Sequence, residues 1–243
     1  MLACTRATRA GWLVNMTGAV MGVIGGSGGV GASSFAAALA LAAGQAMLLD
    51  CDASGGGIDV LLGIESVPGA RWSGLRLDGG WLDPALLDEG LPRWREVGVL
   101  AADVAPPSPD AVRQVVGAAI ERGVVVLDLP RVPGPLREVA LSCCDLCVLV
   151  AAAEVRPLAA ARAIRPDGPV PVGVVMRRGS VPAVEAVRML GGLLLGILPA
   201  LSSRRGDTPG RVPRAVLRVA GGVWDGLAAA VPAGLDAETE DVA

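Results

Sequence analysis

The sequence predicts an α/β fold in three layers, with a mostly parallel central sheet between helices. From Ala19 to Asp52, an apolar run, a glycine-rich turn, an alanine-rich helix and a second apolar run follow one another, which is the order of a βαβ unit. Later apolar runs are rich in β-branched residues and alternate with helical segments, as strands buried on both faces do. Two of these runs end in acids, Asp50 and Asp128, which places acids at the carboxyl edge where such sheets bind ligands.

The elements follow in order along the chain. Predicted strands lie at about 19–24, 46–50, 97–101, 123–128, 145–150, 171–176 and 193–198. The glycine-rich turn and the first predicted helix together occupy about 25–43, with the helix starting at Ser33. Further predicted helices lie at about 85–89, 110–122, 136–141, from 154 or 155 onward, and at 213–231. Asp83 and Ser108 are predicted N-caps, since a proline follows each at the first helical position.

Residues 64–96 are less regular because prolines interrupt them. Trp72, Trp81 and Trp94 lie in this segment of a chain with only 2% aromatic residues. Two interpretations stay open: the tryptophans pack in the core, or they form a lid or a partner-binding face.

A chain of 243 residues is long enough for one domain with a sizeable core, which must be aliphatic given the composition. The net charge of −3 gives no overall attraction to nucleic acid. Basic charge is nevertheless concentrated in the C-terminal part, on helix faces that are either merely solvated or a surface for a partner, lipid headgroups or DNA. The arginines concerned are Arg156, Arg162, Arg165, Arg177, Arg178, Arg188, Arg204, Arg205, Arg211, Arg214 and Arg218.

The five cysteines form no disulfide framework, and their odd number favours a reducing compartment. They are Cys4, Cys51, Cys143, Cys144 and Cys147. The C-x-x-C formed by the last pair has no second pair and no histidine beside it, which favours buried structural thiols over metal or redox chemistry.

The uncharged stretch from Ala10 to Leu49 follows two arginines and so mimics a signal peptide or a membrane hairpin. Glycine clusters interrupt each would-be span, and the later strands fit one water-soluble fold. We therefore expect no membrane segment here.

The turn after the first strand fits the frame of a phosphate-binding P-loop: Gly26, four residues, Gly31, then Ala32 and Ser33. Its glycines allow backbone N–H groups to turn toward an anion, and the helix that follows presents its positive end. Ser33 occupies the position whose hydroxyl holds Mg²⁺ in such loops. Ala32 occupies the lysine position, and no other residue can supply a lysine because the chain contains none.

This loop resembles that of the MinD/ParA family of P-loop ATPases, K-G-G-x-G-K-[ST], which has a second lysine at its start. Ser27 and Ala32 stand at the two lysine positions, and the glycines remain. The family's D-x-D corresponds to residues 50–52, and its aspartate before L-L-G corresponds to Asp59. Lysine-poor loops of this kind further resemble the CpaE/TadZ branch, in particular the actinobacterial CpaE-like septum site determining proteins.

The resemblance implies a P-loop NTPase three-layer sandwich over residues 18–231, between an irregular lead-in at 1–17 and an acidic flexible tail at 232–243. It assigns Mg²⁺, held through water, to Ser33, Asp52 and Asp128, and it makes Asp52 and Asp50 the candidate catalytic acids. Asp128 begins a D-L-P that matches the family's D-x-P. The implied nucleotide-binding residues are Gly26, Ser27, Gly28, Gly29, Val30, Gly31, Ala32, Ser33 and Ser34.

Relatives end a later strand with Asn-Arg, whose asparagine reads adenine, and residues 201–211 would cover the base. Here Met176 and Arg177 stand in the place of that pair. A methionine lacks the paired donor and acceptor of an amide, so the resemblance does not extend to base recognition.

The missing lysines decide what chemistry the resemblance implies. A charge-assisted hydrogen bond contributes about 1.5–3 kcal/mol, so losing the loop lysine weakens nucleotide binding about 10- to 100-fold. A cation that acts on the transferring phosphoryl group is worth about 10³–10⁵ in rate. We therefore expect ATP and Mg²⁺ as weakly bound cofactors and little or no hydrolysis. Arg177, Arg204 and Arg205 are the candidates for replacing a lysine.

The implied function is a degenerate MinD/CpaE-like factor that positions partners for septum placement or for Tad pilus or secretion assembly. It would act as a homodimer with Tad, secretion or cell-division proteins in the cytoplasm, and partners would recruit it to the inner face of the membrane at pole or septum. Two alternatives stay open: an active ATPase in which arginine replaces lysine, and a ParA-like partition factor associated with DNA. Specific nucleic-acid recognition is not expected.

Overall fold

The computed structural model describes residues 18–77, 82–200 and 210–230, which form eight strands and eight helices. The strands are β1 Val20–Gly25, β2 Ala46–Asp50, β3 Arg93–Trp94, β4 Val97–Leu100, β5 Val124–Leu129, β6 Leu146–Ala152, β7 Val172–Arg177 and β8 Leu193–Leu198. The helices are α1 Ala32–Ala43, α2 Ile58–Leu62, α3 Pro84–Gly90, α4 Pro109–Ala119, α5 Pro135–Ser142, α6 Val155–Ile164, α7 Ala183–Leu190 and α8 Arg214–Ala229. A 3-10 turn lies at Trp72–Gly74.

All eight strands belong to one sheet in the order β3-β4-β2-β5-β1-β6-β7-β8. Every neighbouring pair is parallel except β3 and β4, which form a short antiparallel hairpin. The central strands are buried along their whole length because helices cover both faces. The three-layer α/β fold predicted from the sequence is confirmed.

The core is aliphatic and lies in two layers, one on each face of the sheet. Phe35, the chain's one phenylalanine, is fully buried in the layer formed with α1 and α8. Trp72 and Trp94 are buried as well, which supports the core interpretation for these two, whereas Trp81 lies outside the described residues.

The predicted N-caps are present. The Asp83 carboxylate accepts hydrogen bonds from the N–H groups of Ala85 and Leu86, and the Ser108 hydroxyl accepts one from Ala111. Three elements are present that the sequence did not predict: α2, α7 and β3. The two residues of β3 are too few to show a period.

Within residues 18–77, 82–200 and 210–230, every helix is too short or too polar to span a bilayer. The lead-in at 1–17, the segment 201–209 and the acidic tail lie outside the described residues, and so do Arg204, Arg205 and Cys4.

Candidate functional site

The glycine-rich loop joins the carboxyl end of β1, in the middle of the sheet, to the start of α1. Gly29 and Gly31 take positive φ, 68° and 89°, which turns the chain back into the helix. No side chain caps α1, so its first N–H groups are left open at the loop. Residues 27–29 are at least partly exposed at the tip, where an anion can approach.

Close packing fixes the base of the loop. The Gly26 N–H donates to the Val150 carbonyl of β6 at 2.8 Å. A Cβ at Gly26 would lie 2.6 Å from the Ala161 Cβ of α6, so a larger residue does not fit there. The loop is therefore held against β6 and α6 on one side while its tip stays open.

Arg177, at the end of β7, is buried against the far end of the loop. Its Nε donates to the Val30 carbonyl at 2.9 Å, and its Nη1 donates to the Pro199 carbonyl at 2.8 Å. Its Nη2 lies 2.8 Å from the position that a Cβ on Gly31 would occupy. This predicted candidate for a replacement cation therefore does lie at the loop, where it ties the loop to the segment after β8.

Two predicted acids, Asp50 and Asp128, are buried side by side at the carboxyl edge. They are in register on the neighbouring strands β2 and β5, and β5 also pairs with β1. The pKa of Asp128 is raised from its ordinary value of 3.8 to about 8. Burial is the largest cause and the nearby Asp50 adds to it, while a hydrogen bond with the Ser33 side chain opposes the shift. The Ser33 side chain of the loop therefore lies within hydrogen-bonding distance of the acid near the end of β5.

The Asp50 carboxylate is occupied with main-chain groups. It accepts hydrogen bonds from the N–H groups of Asp52 at 3.0 Å, Ile58 at 3.1 Å and Ala102 at 3.4 Å. Burial raises its pKa to about 6, and these hydrogen bonds oppose the shift. Trp72 Nε1 donates to the Asp50 carbonyl at 2.6 Å. The geometry suits a residue that shapes the edge of the sheet better than one that meets a ligand directly.

Asp52 lies in a tight turn at the sheet edge and is partly exposed. Its Oδ1 accepts hydrogen bonds from the Ser54 N–H at 3.1 Å and from the Ser54 hydroxyl. Its Oδ2 receives no hydrogen bond from the part of the chain that the structure describes. Asp52 therefore keeps a free oxygen for a water molecule.

Oxygen donors of this kind suit Mg²⁺, which prefers hydroxyl, carboxylate and water ligands. In the described ranges, no three or more His, Cys, Asp and Glu side chains are grouped so that they could hold a metal ion. Ser33, Asp128 and Asp52 could thus provide only part of a Mg²⁺ shell, with water and nucleotide phosphates supplying the rest.

Met176 stands at the position where the family has the asparagine that reads adenine. Met176 is fully buried in the core, so its side chain does not face a ligand.

Cys51, Cys144 and Cys147 are buried, and burial raises the pKa of each thiol. The Cys144 thiol donates to the Ala140 carbonyl at 3.2 Å, as a structural thiol does.

Two open clefts lie on the described part of the chain, and no residue of the glycine-rich loop lines either of them. One of about 500 Å³ is mostly apolar, and Asp52 and Pro130 are among the residues that line it. The other, of about 410 Å³, is lined by three arginines at the start of α8. These are Arg211, Arg214 and Arg218, three exposed members of the C-terminal basic group.

Arg131, which was not among the predicted site residues, lies at the tip of the loop. Its Nη1 lies 3.8 Å from the position of a Cβ on Gly28. The sequence contains a feature that could have identified it, because Arg131 directly follows the D-L-P at the carboxyl end of β5.

No protein-family model matches the chain. Uncharacterized proteins from two strains of Mycobacterium tuberculosis are each 47% identical to it over 152 residues. The matched region covers 61% of this chain and 43% of each of those proteins, so the chain spans less than half of their length.

Solved structures share the fold at low sequence identity. A ParA family ATPase from Chlorobium tepidum matches with a TM-score of 0.68 and 15% identity, covering 86% of this chain and 98% of that one. The MinC:MinD cell division complex of Aquifex aeolicus matches with a TM-score of 0.66 and 16% identity, over 87% and 96%. The septum site-determining protein MinD of Pyrococcus horikoshii, complexed with Mg-ADP, matches with a TM-score of 0.63 and 15% identity, over 86% and 95%. The chain therefore has the fold of the MinD and ParA P-loop ATPases.

Proposed function

We propose that this chain is a degenerate MinD/CpaE-like P-loop protein that binds Mg-ATP weakly, hydrolyses it slowly or not at all, and works by positioning partner proteins. The observation that carries the proposal is the loop between β1 and α1, whose glycine backbone and Ser33 contact with Asp128 persist in a chain without lysine. The fold match to a MinD bound to Mg-ADP supports a nucleotide at this edge of the sheet.

Different residues would bind the phosphates, the cation and a water molecule. Main-chain N–H groups of residues 27–34 would hold the phosphates, while Ser33 and Asp128 would orient the cation and Asp52 a water molecule. Bound Mg-ATP would supply the charge and the contact surface that stabilise a homodimer. Such a dimer fits septum placement, or Tad pilus or secretion assembly, as the output of binding without a hydrolytic cycle.

An active ATPase is the second candidate, because two arginines lie at the loop. Arg177 is committed to two carbonyls, which favours a structural role for it. A DNA-associated partition factor is the third candidate, and the three exposed arginines that line the cleft at α8 favour it. DNA binding through them would weaken steeply with salt.

The test compares Mg-ATP binding and turnover by the native protein with those of Ala32→Lys and Ser27→Lys/Ala32→Lys. We expect measurable native binding, negligible native turnover and tighter binding once lysine is restored. Native hydrolysis that Asp52→Ala abolishes would overturn the scaffold function in favour of the ATPase. Retention of the native protein on DNA at physiological salt would favour the partition factor.

A further inference from the structure

We propose that Arg131 supplies the phosphate-binding cation that the loop itself lacks, from the segment after β5. This inference rests on the proposed function, since it names the residue that makes a loop without lysine able to hold Mg-ATP. The segment after β5 would then take over part of the role that lysines play within the loops of relatives.

The side chain of Arg131 lies close to the tip of the glycine-rich loop. Arg131 Nη1 lies 3.8 Å from the point where a Cβ on Gly28 would be, so the guanidinium faces the tip of the loop. Gly28 directly follows Ser27, which stands at the position of the first family lysine. The Arg131 guanidinium therefore lies beside a position where the family has lysine and this chain has serine.

The guanidinium of Arg131 is available to bind an anion. Arg131 is exposed, and among the described residues its guanidinium forms no ion pair and no hydrogen bond. Arg177 differs, because two of its nitrogens are bound to carbonyls. Of the two arginines at the loop, Arg131 is the one with its whole donor fork free for phosphate oxygens.

The main chain at Arg131 is held in place by its neighbours. The buried Arg137 donates from Nη1 to the Arg131 carbonyl at 2.8 Å and from Nη2 to the Ile164 carbonyl. Pro130 and Pro133 flank the arginine and restrict φ on both sides. Because the main chain is already ordered, only the side chain of Arg131 has to lose conformational freedom when it binds an anion.

The test measures Mg-ATP affinity by calorimetry for the native protein, Arg131→Ala, Arg131→Lys and the matched control Arg113→Ala. Arg113 is an exposed arginine of α4 that pairs with Asp110. We expect Arg131→Ala to weaken binding about 10- to 100-fold, because one charge-assisted contact is lost. Arg131→Lys should retain most of the affinity, and Arg113→Ala should match the native protein.

A rescue variant adds a readout that a misfolded protein would not give. Ala32→Lys introduced into Arg131→Ala should recover most of the lost affinity, because the new lysine restores a cation at the loop. Native binding that Arg131→Ala leaves unchanged would overturn the role of Arg131 and leave the proposed function standing. Absence of Mg-ATP binding by the native protein would overturn both.

Discussion

At the scale of single residues, the site shows how burial sets charge. Asp50 and Asp128 lie in register on adjacent parallel strands, and both are almost completely buried. Two carboxyl groups so placed resist ionisation, because each charge is poorly solvated and repels the other. In the absence of a bound cation, Asp128 keeps its proton at neutral pH, with a pKa of about 8.

Substitution of Asp128 by asparagine should change the pH dependence of stability. The folded-state pKa of about 8 lies above the ordinary 3.8, so between these values the folded protein holds a proton that the unfolded chain has lost. Native stability should therefore fall as pH rises from 6 to 8, by up to about 1.4 kcal/mol per pH unit. Urea unfolding with a chelator present should show this slope, and Asp128→Asn should flatten it. Equal slopes for the two proteins would contradict the assignment.

Arg177 and its neighbour Arg178 offer a matched pair for testing the contact with the loop. Arg177→Ala removes the donors to the Val30 and Pro199 carbonyls and should cost about 2–4 kcal/mol of unfolding free energy. Arg178 is exposed, so Arg178→Ala should cost less than about 0.5 kcal/mol. Denaturant titration measures both, and similar values for the two variants would show that the buried arginine does not hold the loop.

At the scale of elements, the loop between β1 and α1 combines a tightly packed base with an open tip. Gly26 lies against α6, whereas among the described residues a Cβ at Gly28 would have only the Arg131 guanidinium within 4 Å. The packed base is independent of any ligand, so its contribution to stability can be measured on the protein alone. The open tip should matter for binding and little for folding.

Two alanine substitutions in the same loop separate these contributions. Gly26→Ala forces a Cβ to within 2.6 Å of the Ala161 Cβ and should destabilise the fold by about 1–3 kcal/mol. Gly28→Ala meets its first neighbour at 3.8 Å and should change stability by less than about 0.5 kcal/mol. Thermal unfolding of both variants provides the comparison. A Gly28→Ala protein as unstable as Gly26→Ala would mean that the tip is packed rather than open.

At the scale of the whole molecule, the strand order brings the site together. Placing β1 between β5 and β6, with β2 beyond β5, sets the loop, Asp128 and Asp50 along one edge although they are far apart in the chain. The solved MinD and ParA structures share this fold. In open α/β sheets, ligands bind in the crevice at the carboxyl ends of the strands, which is the edge where these residues lie.

The sequence predicted what local patterns encode. The apolar period located β5 and its terminal acid, and the glycine spacing located the loop. Contacts between distant side chains leave no such pattern: Arg177 and Val30 are 147 residues apart, and the Arg131–Gly28 approach depends on how β5 pairs with β1. The two-residue β3 is similarly set by its pairing with β4, because two residues show no period.

The claim on which the rest depends is that main-chain amides of the loop hold nucleotide phosphates without a loop lysine. The most direct measurement is a titration of ¹⁵N-labelled native protein with Mg-ATP, followed by amide resonances. The account predicts that the largest shifts fall on residues 26–34, with smaller ones near Asp52 and Asp128. Unchanged loop resonances at saturating nucleotide, or shifts confined to the arginine cleft at the start of α8, would contradict it.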